Sequence, residues 1–168
     1  MLFRSPDGLM AWLLRKPLLI HEQNAVAGLT NRMLSRLAID VMEAFPGALP
    51  KGAHYVGNPV RKDIIVLTSP EKRFANRKSA LRVLVIGGSL GAVRLNELVP
   101  EAVSKMEPPS RPEIWHQTGL RNHETAQALY KKFDVDGRVD AFVDDMAEAY
   151  AWADVVICRA GAMTVFEL

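Results

Sequence analysis

Leu81-Arg82-Val83-Leu84-Val85-Ile86-Gly87-Gly88-Ser89-Leu90-Gly91-Ala92 leaves this chain few folds to choose from. The near-unbroken apolar run reads as a strand buried on both faces, as in a parallel sheet covered by helices. The glycine cluster behind it permits a tight turn that bares backbone N–H groups. Helix-forming residues follow from Ala92 to Glu97, so the turn sits at a helix N-terminus, where about half a positive charge is focused. The segment is neither a Walker A loop, since no Gly-Lys-Ser/Thr follows, nor the full G-x-G-x-x-G fingerprint. Two readings stand side by side: an anion site, and a glycine turn that only packs strand against helix.

The rest of the chain repeats the alternation. Residues 9–16 read as the end of an amphipathic helix, and Pro17 to Ile20 as a short buried strand. Met33, Leu34 and Leu37 give Thr30 to Leu37 a helical spacing. Ile39 to Ala44 reads as a strand that Phe45-Pro46-Gly47 stops. Beyond the glycine turn, Pro100 predicts a kink or two short helices in the segment from Val93 to Met106. Glu113 to Gln117 is the next strand, Asn122 to Phe133 a helix, Val139 to Val143 a strand, Met146 to Trp152 a helix and Val155 to Cys158 a strand. Arg159-Ala160-Gly161-Ala162 opens a last helix. Alternating strands and helices predict parallel α/β layers with right-handed crossovers.

Between Pro46 and Ala80 the character changes. Pro46, Pro50, Pro59 and Pro70, with the charged run from Glu71 to Lys78, mark a junction between two lobes. Residues 1–57 form the first lobe, 58–80 the connection and 81–168 the second lobe. With 49% apolar residues and no uninterrupted apolar stretch long enough to span a bilayer, the expectation is a soluble globular chain without signal peptide. The formal charge of +2 gives no argument for nucleic acid. Cys158 stands alone and fits a reducing compartment.

Polar residues at strand ends are the candidates for function, because ligands of open parallel sheets bind outside the carboxyl ends of the strands. His21-Glu22-Gln23-Asn24 ends the first strand, and serves either a ligand or the cap of the next helix. Arg61 could clamp a phosphate or pair with a surface carboxylate. Glu167, about two turns into the last helix, could accept hydrogen bonds from both hydroxyls of a ribose or lie exposed. Asp134-Val135-Asp136 mimics a metal-binding D-x-D, but before Gly137 it is ordinary turn chemistry, and no metal site is expected.

Together these residues carry a resemblance. His21-Glu22-Gln23-Asn24-Ala25 with Gly28-Leu29-Thr30-Asn31, Ala44-Phe45-Pro46-Gly47, Val56-Gly57-Asn58-Pro59-Val60-Arg61, Gly87 to Ala92, Phe142-Val143-Asp144-Asp145-Met146 and Cys158 to Thr164 resemble, in order, the motifs of the MurG family. These are bacterial peptidoglycan transferases that move N-acetylglucosamine (GlcNAc) from UDP-GlcNAc onto lipid I, the lipid-linked muramyl-pentapeptide, giving lipid II.

The resemblance implies a GT-B fold, with a partial first lobe and most of the second, and an inverting transfer without cofactor or metal. It implies peripheral attachment to the cytoplasmic face of the bacterial inner membrane. Carried residue by residue, it puts Asn24 and Arg61 on the donor and Gly88 and Ser89 in the diphosphate loop. Val143 would offer its backbone to uracil. Ala162, Met163, Thr164, Val165, Phe166 and Glu167 would line ribose and diphosphate, with Glu167 on the ribose hydroxyls. Three departures stand out. The family's histidine-bearing glycine loop has no counterpart before Leu9, so no catalytic residue is assigned. The chain stops inside the last helix, and Phe166 replaces a commonly polar residue. The expectation is therefore an internal piece, inactive alone. A UDP-sugar epimerase of the same fold and a non-catalytic nucleotide-binding or partner module are the alternatives; the His-Glu-Gln-Asn segment speaks against the first.

Overall fold

The computed structural model describes residues 4–49, 52–75, 80–88 and 91–168. Its contacts divide the chain into two compact units, one of Met1–Val60 with Gly161–Leu168, the other of Arg61–Ala160. Both are parallel α/β layers of Rossmann-like type.

In the first unit, β1 (Leu19–Glu22), β2 (Asp40–Glu43) and β3 (His54–Tyr55) lie in that order, all parallel. Helix α2 (Leu29–Leu34) packs on β1, and α1 (Arg4–Leu13) packs on α2. Ile20, Ala27, Leu34 and Leu49 form the buried centre, with Leu18, Leu37 and Val41 packed against it. Helix α1 stops at Arg15 in a left-handed conformation (φ 52°), where the Lys16 and Arg15 N–H groups reach back to Ala11 and Trp12 carbonyls. That pair of bonds is a Schellman cap.

In the second unit, α3 (Lys62–Ile65) and α4 (Pro70–Phe74) precede β4 (Arg82–Ile86) and α5 (Val93–Ser104). Then come β5 (Glu113–Gln117), α6 (His123–Lys132), β6 (Arg138–Asp140), α7 (Met146–Trp152) and β7 (Val155–Cys158). The parallel order β6-β5-β4-β7 puts the apolar β4 inside the sheet. Val83, Val85 and Ile114 pack beneath Val99 and Val103 of α5 and Tyr130 of α6. On the other face Trp115 meets Trp152 of α7 edge-on, ring centres 5.7 Å apart.

Two expectations are revised, and the connecting stretch shows helices of its own. Pro100 neither splits its helix nor ends it: α5 is one helix of 12 residues. Val99, Pro100 and Val103 are all buried, so packing on the sheet outweighs the missing backbone bond. The strand expected over Val139 to Val143 is β6, Arg138–Asp140, and the chain leaves the sheet before Val143, which is buried in the following loop. The 58–80 stretch carries α3 and α4, and Arg73 of α4 donates to the Tyr150, Ala151 and Ala153 carbonyls at the end of α7. That guanidinium caps a helix whose last carbonyls have no intrahelical partner.

Helix α6 closes as α1 does. Asp134 is left-handed (φ 51°), and Val135 and Asp134 donate to the Tyr130 and Lys131 carbonyls. The Asp-x-Asp lookalike is thus a helix cap. A left-handed non-glycine residue carries a steric cost that glycine lacks, so Asp134→Gly is expected to stabilise the second unit by about 0.5–1 kcal/mol in urea unfolding. A loss of stability would show that the Asp134 side chain contributes more than the backbone strain removes.

Candidate functional site

The strand registers set the site. Ile86 pairs with Gln117 and with Cys158, and Gln117 with Asp140, so four strands end level. The segments 87–92, 118–122, 141–145 and 159–160 all leave that carboxyl edge.

The glycine turn is built so that side chains cannot enter it. A Cβ on Gly87 would stand 2.8 Å from the Ala92 nitrogen and 3.0 Å from the Gln117 carbonyl oxygen. Gly91 has φ +74°, and a Cβ there would collide with the Thr118 carbonyl. The Gly91 N–H closes the turn on the Gly88 carbonyl at 2.8 Å. Helix α5 then starts from Ala92 with no side-chain cap, and its first helical bond is from Asn96 N to Ala92 O. An uncapped N-terminus of a 12-residue helix at a bare glycine turn can receive phosphate oxygens. Gly88 (φ +79°) faces the Arg159 guanidinium, whose Nη2 lies 3.8 Å from where a Cβ would be.

Beneath the turn lies a buried polar layer. Thr118, fully buried, donates from both N and Oγ1 to the Asp140 carbonyl. Asn96 Nδ2 donates to the Thr118 carbonyl at 3.0 Å. His116 is also fully buried, with Nδ1 2.9 Å from the Tyr130 hydroxyl. Burial pushes its pKa down to about 4, so the ring is neutral in the folded chain near neutral pH.

In the first unit the His-Glu-Gln-Asn segment is organised by its glutamate. Glu22, 2% exposed, accepts from the Asn24 backbone and side chain, from Gly28 N and from Asn31 Nδ2. Burial works to raise its pKa, but these bonds outweigh it and hold the carboxyl below the usual range. The carboxylate takes Asn24 Nδ2 and fixes that amide. Its neighbour Glu43 folds the next loop by accepting from Gly47 N and Leu49 N.

Of the residues expected to bind, Gly88 and Val143 lie at the carboxyl edge of the second unit. Arg61 is the N-cap of α3. Ser89 lies outside the described residues. Asn24 stands beside Glu22 in the first unit. Ala162, Met163, Thr164, Val165, Phe166 and Glu167 make up α8, six residues grouped by their contacts with the first unit. Glu167 is its last residue, about a turn and a half from the start where two turns were expected. Phe166, the departure noted in the sequence, meets Phe45 edge-on with ring centres 5.1 Å apart. Asn96 and Thr118 were not singled out from the sequence, and Glu22, Asn31 and Arg159 were read only as members of their motifs.

A cavity of about 560 Å3 opens at the opposite, amino edge of the second unit, beside Arg111, Trp115 and Arg138. Its cations are already committed: Arg111 donates to the Met106, Asp134 and Ser104 carbonyls, and Arg138 to Asp140. The carboxyl edge, where α5 starts without a side-chain cap, is the better anion site. Among the described residues no group of three or more His, Cys, Asp or Glu side chains is placed to hold a metal ion.

Residues 82–168 match the family described as the glycosyltransferase family 28 C-terminal domain. The chain is similar to proteins named UDP-N-acetylglucosamine–N-acetylmuramyl-(pentapeptide) pyrophosphoryl-undecaprenol N-acetylglucosamine transferase. That of Marinobacter nauticus is 53% identical over 98% of this chain and 46% of its own length. That of Chromohalobacter salexigens is 55% identical over 98% and 46%. A crystal structure of Acinetobacter baumannii MurG superposes with a TM-score of 0.77 at 44% identity, covering 97% of this chain and 46% of that one. The chain thus spans about half the length of the relatives it matches.

Proposed function

The chain belongs to glycosyltransferase family 28, and from that premise we propose that it serves transfer of GlcNAc from UDP-GlcNAc to lipid I, yielding lipid II for peptidoglycan. The observation that carries this reading is the uncapped α5 N-terminus above a turn in which Gly87 and Gly91 admit no Cβ. Bare N–H groups and a helix dipole stabilise a departing diphosphate without a metal ion, and UDP is such a leaving group. In this reading Gly88 and Ser89 cradle the diphosphate, the Val143 backbone pairs with uracil, and Asn24 and Arg61 reach the donor. Ala162 to Glu167 hold the ribose and the adjoining phosphate. The relatives named above are transferases, which favours transfer over the epimerase reading.

Calorimetric titration with UDP tests it. Glu167→Ala is expected to weaken binding by about 1–3 kcal/mol through lost ribose hydrogen bonds. Unchanged affinity would remove Glu167 from the ribose.

The acceptor is a lipid, and we assign its side to the first unit and to a membrane surface. Leu9, Met10, Trp12, Leu13 and Leu14 are exposed on and just after α1. Arg15 and Lys16 follow them directly and are exposed, as are Arg32 and Arg36 on and just after α2, the helix that packs against α1. No helix among the described residues is long and apolar enough to cross a membrane, so attachment by this face would be peripheral. Each basic residue near an anionic surface adds about 1 kcal/mol, so Arg15→Gln with Lys16→Gln should cut the preference for anionic over neutral vesicles by about thirtyfold. Equal sedimentation with both vesicle types before substitution would contradict the basic face.

A further inference from the structure

We propose that Asn96 is a positioning residue for the glycine turn, holding it in the shape that receives a nucleotide diphosphate; the proposal rests on the nucleotide reading above. Asn96 is 3% exposed, and its Nδ2 donates to the Thr118 carbonyl, while its Oδ1 is buried without a hydrogen-bond partner among the described residues. An unpaired buried carbonyl costs stability, and a leucine would fill the same space without it. The asparagine is therefore kept for the one bond it makes.

That bond acts at a telling place. The Thr118 carbonyl is the atom against which Gly91 is packed, with no room for a methyl group between them. Asn96 N also makes the first helical bond of α5, to Ala92 O. One residue thus fixes the start of the helix through its backbone and the wall of the turn through its side chain. Thr118 is itself anchored to the Asp140 carbonyl, and its Oγ1 lies 3.4 Å from Nδ1 of His123, the first residue of α6. The ends of β5 and β6 and the starts of α5 and α6 are joined in one polar layer, with Asn96 as its only link to α5 among the hydrogen bonds described.

The test is Asn96→Leu in the whole chain, read by UDP calorimetry, thermal unfolding and backbone amide exchange. The expected result is about tenfold weaker UDP binding, the magnitude of one hydrogen bond. The unfolding midpoint should stay close to that of the parent, because relief of the unpaired Oδ1 offsets the lost bond. Amide exchange should quicken at Gly91 to Leu95 alone. Equal UDP affinity would overturn the proposal. So would weaker binding that comes with a lowered midpoint and faster exchange throughout the second unit, the signature of a merely structural residue. If the leucine chain does not fold, Asn96→Ser, which cannot reach Thr118 and adds no bulk, takes its place. Failure of the unsubstituted chain to bind UDP would overturn the nucleotide reading instead. Exchange at Gly91 to Leu95 then decides on Asn96 separately, with unchanged rates counting against it.

Discussion

Gly91→Ala is expected to destabilise the second unit by about 3 kcal/mol or more and to abolish measurable UDP binding. Two costs add. A left-handed alanine carries about 1–2 kcal/mol that glycine does not, and Gly91 sits at φ +74°. Its Cβ would also collide with the Thr118 carbonyl, a backbone atom that cannot rotate away and is held by its neighbours in the buried polar layer. Gly88→Ala is the control that separates the two. Its φ of +79° brings the same conformational cost, but the nearest atom is the end of the flexible Arg159 side chain at 3.8 Å. Urea unfolding should therefore show about 1 kcal/mol lost for Gly88→Ala. Similar losses for the two variants would mean that the turn relaxes away from Thr118 and that the close approach is not obligatory.

Acid is expected to weaken the second unit in a window set by His116. Burial depresses its folded pKa to about 4 from the ordinary 6.5. Between these values the unfolded chain binds the proton and the folded chain does not, so stability rises with pH through the window. The contribution is fully present above pH 6.5 and lost as pH falls toward 4. At 1.36 kcal/mol per unit, the loss amounts to about 3 kcal/mol. Urea midpoints followed by the fluorescence of Trp115 and Trp152 should decline steadily over that range, and His116→Phe should flatten the decline whatever its own stability. Glu22 acts lower: its depressed pKa gives stability that is present above its unfolded value and lost as pH falls through the folded one. A decline unchanged in His116→Phe would assign the acid sensitivity elsewhere.

What could be read from the sequence divides along physical lines. Glu113–Gln117, Met146–Trp152 and Val155–Cys158 were expected at the bounds they have, because an apolar run or a helical spacing there ends abruptly in turn residues. Strand β3 is two residues long and has no periodicity to show. Helices α3 and α4 are only four and five residues long, and Arg73, which ties α4 to α7, finds its carbonyl partners some 77 to 80 positions away. Val143 prolonged an apolar run that the chain ends in a loop burying Val143 while Phe142 stays exposed.

The site follows the same rule. The glycine turn was legible, since its geometry is local. Glu22 stood in a candidate segment, but its role was not legible, because its four donors come from Asn24, Gly28 and Asn31 on a loop and the start of α2, with no periodic pattern. Asn96 was hidden because its partner, Thr118, lies 22 positions on. Phe166 was noticed as a departure, and its meaning came only with Phe45 beside it.

The central claim is that a nucleotide diphosphate binds at the carboxyl edge of the second unit's sheet, and amide chemical shifts during UDP titration test it most directly. The account predicts the largest shifts at Gly87, Gly88 and Gly91 to Leu95, with Val143 following, and none at Glu113 or Arg138 on the amino edge. Shifts concentrated at Arg111, Trp115 and Arg138, or none at millimolar UDP, would contradict it.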